Sequence, residues 1–237
     1  MFFCPFSKGK LCDIIYPTTW YHRRKNMALE HEKNNKDGLP YEHYKELFSQ
    51  IDPIEASTRC NIPFDEEKKT FTIRLMGTNY HIEHPSGEVR RDDGSEPQEF
   101  NITILLYRYL IEGSYGPTSG RLLTYSELPS GDLYLRQFTG RCKTRFAYGF
   151  GFNVDGFRKV MEHLGAEDIH QGDAGYRFEF INGIYLTFIL WAPDEDFPPN
   201  SQILFEDNFP LAFSTEDAAI IGDISINIFK AISKTLK

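Results

Sequence analysis

The dipeptide Asn182-Gly183 stands between two runs of opposite character and constrains the fold more than any other feature of the chain. Before it, Tyr176, Phe178 and Phe180 alternate with Arg177 and Glu179. Period two is the signature of a strand with one buried face. Both central positions of a two-residue type I′ turn need positive φ, which Asn and Gly tolerate. The dipeptide therefore predicts a tight hairpin. The returning segment, 184–191, is apolar on both faces and ends at Pro193. That pattern predicts a central strand covered on each side.

A second meander is written upstream. Phe71, Ile73 and Leu75 alternate with Thr72 and Arg74, and residues 76–79 read as a turn. Tyr80 and Ile82 then alternate with His81 and Glu83. Pro85-Ser86-Gly87 turns the chain again, and 88–90 adds a short third strand. Helical spacing predicts a helix over 41–50, with Tyr44, Leu47 and Phe48 on one face, and a short turn of helix over 54–60. Residues 99–112 are apolar on nearly every side, which predicts a buried helix. Further helices are expected over 133–146 and 154–164. The last covers 215–236, with Ser214 as its cap, Glu216 and Asp217 in its first turn, and Ile221, Ile224, Ile228 and Ile232 as its apolar stripe. The expected fold is α+β: a mostly antiparallel sheet from about 70–90 and 175–191 with helices packed on it. Residues 27–237 are read as a single domain. Residues 1–26, aperiodic and basic, are read as a poorly packed extension.

A chain of 237 residues buries enough surface to fold without disulfides or metal. Its 20 Phe and 13 Tyr supply core cohesion without specifying chemistry. The net charge is −8; residues 1–26 carry +4, which leaves −12 on the remainder. An acidic body repels phosphate backbones and anionic bilayers, so neither nucleic acid nor a membrane is an expected partner. Cys4, Cys12, Cys60 and Cys142 are scattered, with no paired spacing, and read as reduced thiols. No apolar run is long enough for a signal peptide or a bilayer span. A soluble, cytoplasmic protein is expected.

The acidic turn Asp194-Glu195-Asp196 is the leading candidate site, because it leaves the end of a central strand. Glu206, Asp207, Glu216 and Asp217 follow it, and hard cations such as Mg²⁺ or Ca²⁺ favour several carboxylate oxygens. The turn lacks the glycine and terminal glutamate of a calcium loop. The competing interpretation is caps and turns, with ion pairs to Arg136, Arg141 or Arg145. Asp173, at the start of the hairpin, either points toward the acidic turn or forms an Asx turn. Glu127 is a candidate proton carrier if buried beside a partner, and otherwise a member of an ion pair. Cys142 lies among Arg141, Lys143 and Arg145, a field that would lower its pKa and make it a candidate reactive thiol. The same basic residues, with Arg136, could hold an anion. His81 and His84 point to opposite faces of a strand and would not share a metal. His163 and His170 read as solvated or packed imidazoles. The glycines of Tyr148-Gly149-Phe150-Gly151-Phe152 have no preceding strand and lack the third glycine of a phosphate loop.

Three longer stretches carry a resemblance. They are Leu123-Thr124-Tyr125-Ser126-Glu127-Leu128-Pro129-Ser130-Gly131; Gly172-Asp173-Ala174 with Leu190-Trp191-Ala192-Pro193-Asp194-Glu195-Asp196-Phe197-Pro198; and Ser201-Gln202-Ile203-Leu204-Phe205-Glu206-Asp207 with Thr215-Glu216-Asp217. In order and spacing they resemble the domain of unknown function 3786 family, found mainly in anaerobic bacteria and archaea, over about residues 40–230. The resemblance implies the company of iron–sulfur and corrinoid chemistry, and some relatives carry an added cysteine-rich segment that this chain lacks. It assigns no active site. Two functions follow as expectations. One is a non-enzymatic binding or accessory protein of anaerobic metabolism, with an unidentified small molecule or protein as partner. The other is a metal-assisted enzyme using Asp194, Glu195, Asp196 and Asp207, with Asp173 or Glu127 carrying the proton. No motif specifies a cofactor or a metal.

Overall fold

The computed structural model describes residues 40–97 and 99–236. The chain divides between His43 and Tyr44. The expected boundary at residue 26 lies outside the described residues. Helix α1 (Pro40–Ser49) leads into α2 (Pro53–Cys60), whose first turn is capped by Asp52. Strands β1 (Phe64–Asp65), β2 (Thr70–Leu75), β3 (Thr78–Glu83) and β4 (Val89–Arg91) follow. Helix α3 (Phe100–Glu112) is buried from Ile102 to Leu110, as its all-round apolar pattern requires.

After β5 (Leu122–Leu123) comes a run of helix. The expected helix over 133–146 is three pieces: α4 (Gly131–Phe138), a π-helical stretch (Thr139–Thr144) and α5 (Arg145–Phe150). Then come α6 (Val154–His163), β6 (Glu167–Asp168), β7 (Ala174–Ile181), β8 (Ile184–Trp191) and β9 (Asn200–Glu206). Two helices close the chain, α7 (Phe209–Ala212) and α8 (Thr215–Thr235).

The nine strands among the described residues belong to one antiparallel sheet, in the order β4-β3-β2-β7-β8-β9-β5, with β1 added to β2 and β6 to β7. The fold is therefore α+β. Strand β8 is central, between β7 and β9. The turn residues Asn182 (φ 24°) and Gly183 (φ 79°) both have positive φ, as a type I′ hairpin demands. Asn182 has a second task. The two halves of the sheet meet at a single cross-strand pair, Leu75 with Ile181. There the Asn182 side chain accepts from the Arg74 N–H (2.9 Å), and the Asn182 N–H donates to the Arg74 carbonyl. A turn residue thus stitches the halves together.

One face of the sheet holds the core. Tyr176, Phe178 and Phe188 meet Phe146, Phe157 and Phe229, rings carried by α5, α6 and α8. Phe180 and Phe205 meet Phe213 and Phe138, and Phe71 meets Phe48. Ile226 and Phe229 are the deep residues of the second half of α8, while the expected stripe members Ile228 and Ile232 are only half-buried. The N-terminus of α8 is pinned by an ion pair. Ser214 and Asp217 form a reciprocal capping box. Arg108 of α3 approaches Asp217 Oδ1 to 3.1 Å and donates to Ser214 Oγ, with its guanidinium 5.4 Å from the Tyr44 ring. Both charged side chains are buried. No helix among the described residues is long and apolar enough to cross a membrane.

Candidate functional site

The carboxylates singled out from the sequence do not converge. The acidic turn is exposed, and Asp194 Oδ1 accepts from the N–H groups of Asp196 (2.9 Å) and Phe197 (2.7 Å), an Asx turn that shapes the loop. Asp173 does come to the foot of this turn. Its Oδ2 accepts from the Ala192 N–H at 2.7 Å, so it fastens the end of β8. Asp207 lies elsewhere. Trp191, just before the turn, pairs with Asn200 at the start of β9, whereas Asp207 follows the end of β9. Seven residues of strand put about 20 Å between those ends. Asp207 instead receives the Thr118 hydroxyl (2.8 Å), the Ser119 N–H (3.0 Å) and the Ser119 hydroxyl, and these bonds hold its pKa below the usual value. It anchors the loop that carries Thr118 and Ser119 to the sheet.

Glu127 closes a capping box with Thr124, receiving its N–H (2.8 Å) and hydroxyl (2.9 Å), and pairs with Arg121. Those bonds lower its pKa, and it is not buried beside a partner as a proton carrier would be. The basic field expected to lower the Cys142 pKa does not prevail. The thiol is fully buried, and desolvation, reinforced by Asp223, pushes its pKa up to about 12 against the pull of Arg141 and Arg145. Its Sγ donates to the Ala219 carbonyl. Local sequence showed the cations but not the helix packed over them. Arg141 and Arg145 pair with Asp223 of α8, and not with the acidic turn.

Neither described cysteine is placed to hold an iron–sulfur cluster. Cys60, like Cys142, is buried, its pKa pushed up to about 11 by desolvation, and its Sγ approaches the carbonyls of Tyr109 and Gly113. Cys4 and Cys12 lie outside the described residues. Among the described residues no group of three His, Cys, Asp or Glu is placed to hold a metal ion. His81 bonds Asp92 (2.7 Å) and Thr72 (3.2 Å). Gly149 lies within α5 and Gly151 caps its end, so the two glycines belong to a helix and its terminus.

A different cluster emerges on the sheet face opposite the aromatic core. Alternation puts Arg177 and Glu179 of β7, Tyr185 and Thr187 of β8, and Leu204 and Glu206 of β9 on that face. Arg177 reaches over β8, resting its guanidinium 3.7 Å from the Tyr185 ring centre, and donates from Nε to Glu206 Oε1 at 2.6 Å. Nη1 lies 3.4 Å from Glu167. Burial works against the Arg177 charge, but the bond and field of Glu206, with Tyr185 and Glu167, outweigh it and raise its pKa. Glu206 is 2% exposed, and its second oxygen, Oε2, meets no donor. An acceptor left in that state costs about 1–3 kcal/mol, so it calls for an explanation. The cluster escaped sequence reasoning because β9 was not read as a strand. With that strand assigned, the period-two pattern of 200–206 would have set Glu206 on the face opposite Phe205.

No curated protein and no solved structure matches the chain. Residues 52–227 match the family described as Domain of unknown function (DUF3786), a span that covers both halves of the sheet, Arg177 and Glu206. The chain belongs to the DUF3786 family.

Proposed function

We propose that the chain is a non-enzymatic binding or accessory protein of the cytoplasm, and that it takes a small polar ligand at the Glu206–Arg177 cluster. The observation that carries this reading is the buried carboxylate oxygen Oε2, an acceptor with no donor, on the sheet face opposite the aromatic core. A ligand offering an N–H or O–H would satisfy it, while the half-exposed edge of Arg177 offers donors to the ligand's own acceptors. Arg177, laid along the Tyr185 ring, gives the site a rigid wall. The resemblance noted above suggests a ligand from anaerobic, cofactor-linked metabolism. The metal-assisted alternative needs Asp207 beside Asp194, Glu195 and Asp196, and β9 holds it at the other end of the sheet.

Native mass spectrometry on protein purified anaerobically from its source tests the proposal. The expected result is a small added mass on the natural chain that Glu206→Gln and Arg177→Met both lose. No added mass, or one that both variants retain, overturns the ligand site. Turnover on a panel of metabolites would contradict the non-enzymatic assignment.

A further inference from the structure

A second surface, away from the Glu206 cluster, carries exposed aromatic rings between two fields of opposite charge. Phe152 and Phe197 are each 70% exposed and Tyr148 56%. Tyr148 and Phe152 lie with ring centres 6.3 Å apart at the end of α5. The loop bearing Phe197 abuts them: a Cβ on Gly151 would come within 2.5 Å of Pro199. Rings held in the open on ordered elements are characteristic of an interaction site.

On one side of these rings lies a basic field. Asp223, Asn227, Lys230 and Lys234 recur at spacings of four, three and four, which sets them on one face of α8. Arg141 and Arg145 meet that face through Asp223, and Arg145 also bonds Asn227. Gly149 brings α5 against Lys230, whose Cε would stand 3.4 Å from an added Cβ. Four cations thus face the single carboxylate of Asp223, and among the described residues Lys230 and Lys234 form no ion pair. Burial, then Arg145 and Lys234, lowers the Lys230 pKa, so these cations feel one another. On the other side of the rings lies the acidic turn. Asp194, Glu195 and Asp196 are exposed and, among the described residues, pair with no cation.

The order across the surface is therefore basic, aromatic, acidic, with opposite charge on the two sides. Such a patch is its own complement. A two-fold axis through the rings lays the basic field of one copy over the acidic turn of the other and buries the aromatics between them. We infer that this surface is a homodimer interface, with a second copy of the chain as its partner. The inference stands apart from the ligand site and can fail without it.

Sedimentation velocity on the full chain, over a range of protein and salt concentrations, tests it with charge reversals in both fields. The natural chain is expected to dimerise, more weakly at high salt. Lys230→Glu/Lys234→Glu makes both fields acidic, and Glu195→Lys/Asp196→Lys makes both basic. Each variant alone should raise the dissociation constant at least about 100-fold, as like charges meet. Mixed one to one, the two should form a heterodimer with an affinity within about tenfold of the natural one. Unfolding midpoints close to that of the natural chain separate this from misfolding. A natural chain that stays monomeric overturns the inference, as does a dimer that ignores both reversals or a mixture that fails to recover.

Discussion

Removing Arg108 should unfold much of what α8 contributes, and the size of the loss follows from the geometry. Arg108 Nη1 stands 3.1 Å from Asp217 Oδ1, with both side chains buried. At an effective permittivity of about 20, a unit pair at that distance attracts by about 5 kcal/mol. Desolvation of the two charges offsets most of this, so the intact pair adds little net stability. Removing one partner is different, because the other keeps its burial and loses its compensation. Arg108→Met should therefore cost about 3–5 kcal/mol. Asp217→Asn should cost a similar amount, plus about 1 kcal/mol for the weakened capping box with Ser214. The double variant leaves no buried charge, and its loss should fall about 2–4 kcal/mol short of the sum of the two single losses. Urea unfolding followed by circular dichroism measures all four corners of the cycle. If the two losses add to within about 0.5 kcal/mol, the residues are not coupled and the argument from burial is wrong.

Two further outcomes follow from the titrating groups. Asp207 has a folded pKa below its unfolded value, so its contribution is present above the ordinary carboxylate pKa of about 4 and is lost as pH falls through the folded value. Asp207→Asn should therefore be the less stable chain at pH 7, and the gap should close below about pH 4; a gap independent of pH would refute this. Cys142, with its pKa pushed up to about 12, should stay unmodified by iodoacetamide at pH 8 in the native protein and react only in denaturant, as peptide mass mapping would show. Native labelling at the rate of a free small thiol would mean that the thiol is not sealed beneath Gly222 of α8, where a Cβ would meet its Sγ at 2.7 Å.

The lesson for the candidate sites is about reach. Asp194, Asp173 and Glu127 have partners within a few residues, or across one hairpin, and the turn role of Asp194 and the ion pair of Glu127 were already among the alternatives legible in the sequence. Glu206, Asp207 and Cys142 answer to residues 29, 88 and 77 positions away. No local pattern carries such partners. The basic run around Cys142 predicted a depressed pKa because charge is visible in sequence and desolvation is not.

What the amino-acid order determined alone was local and periodic. The hairpin at Asn182-Gly183, the meander over 70–90, the buried helix α3 and the Ser214 cap all follow from backbone preference and the spacing of apolar side chains, which act within a few residues. Only the tertiary structure decided that β7 joins β2 through one bridge, that β9 extends the sheet, and that Arg177 crosses a whole strand to reach Glu206. Those outcomes depend on which surfaces bury one another once the chain has closed, and packing of that kind is a property of all the elements together.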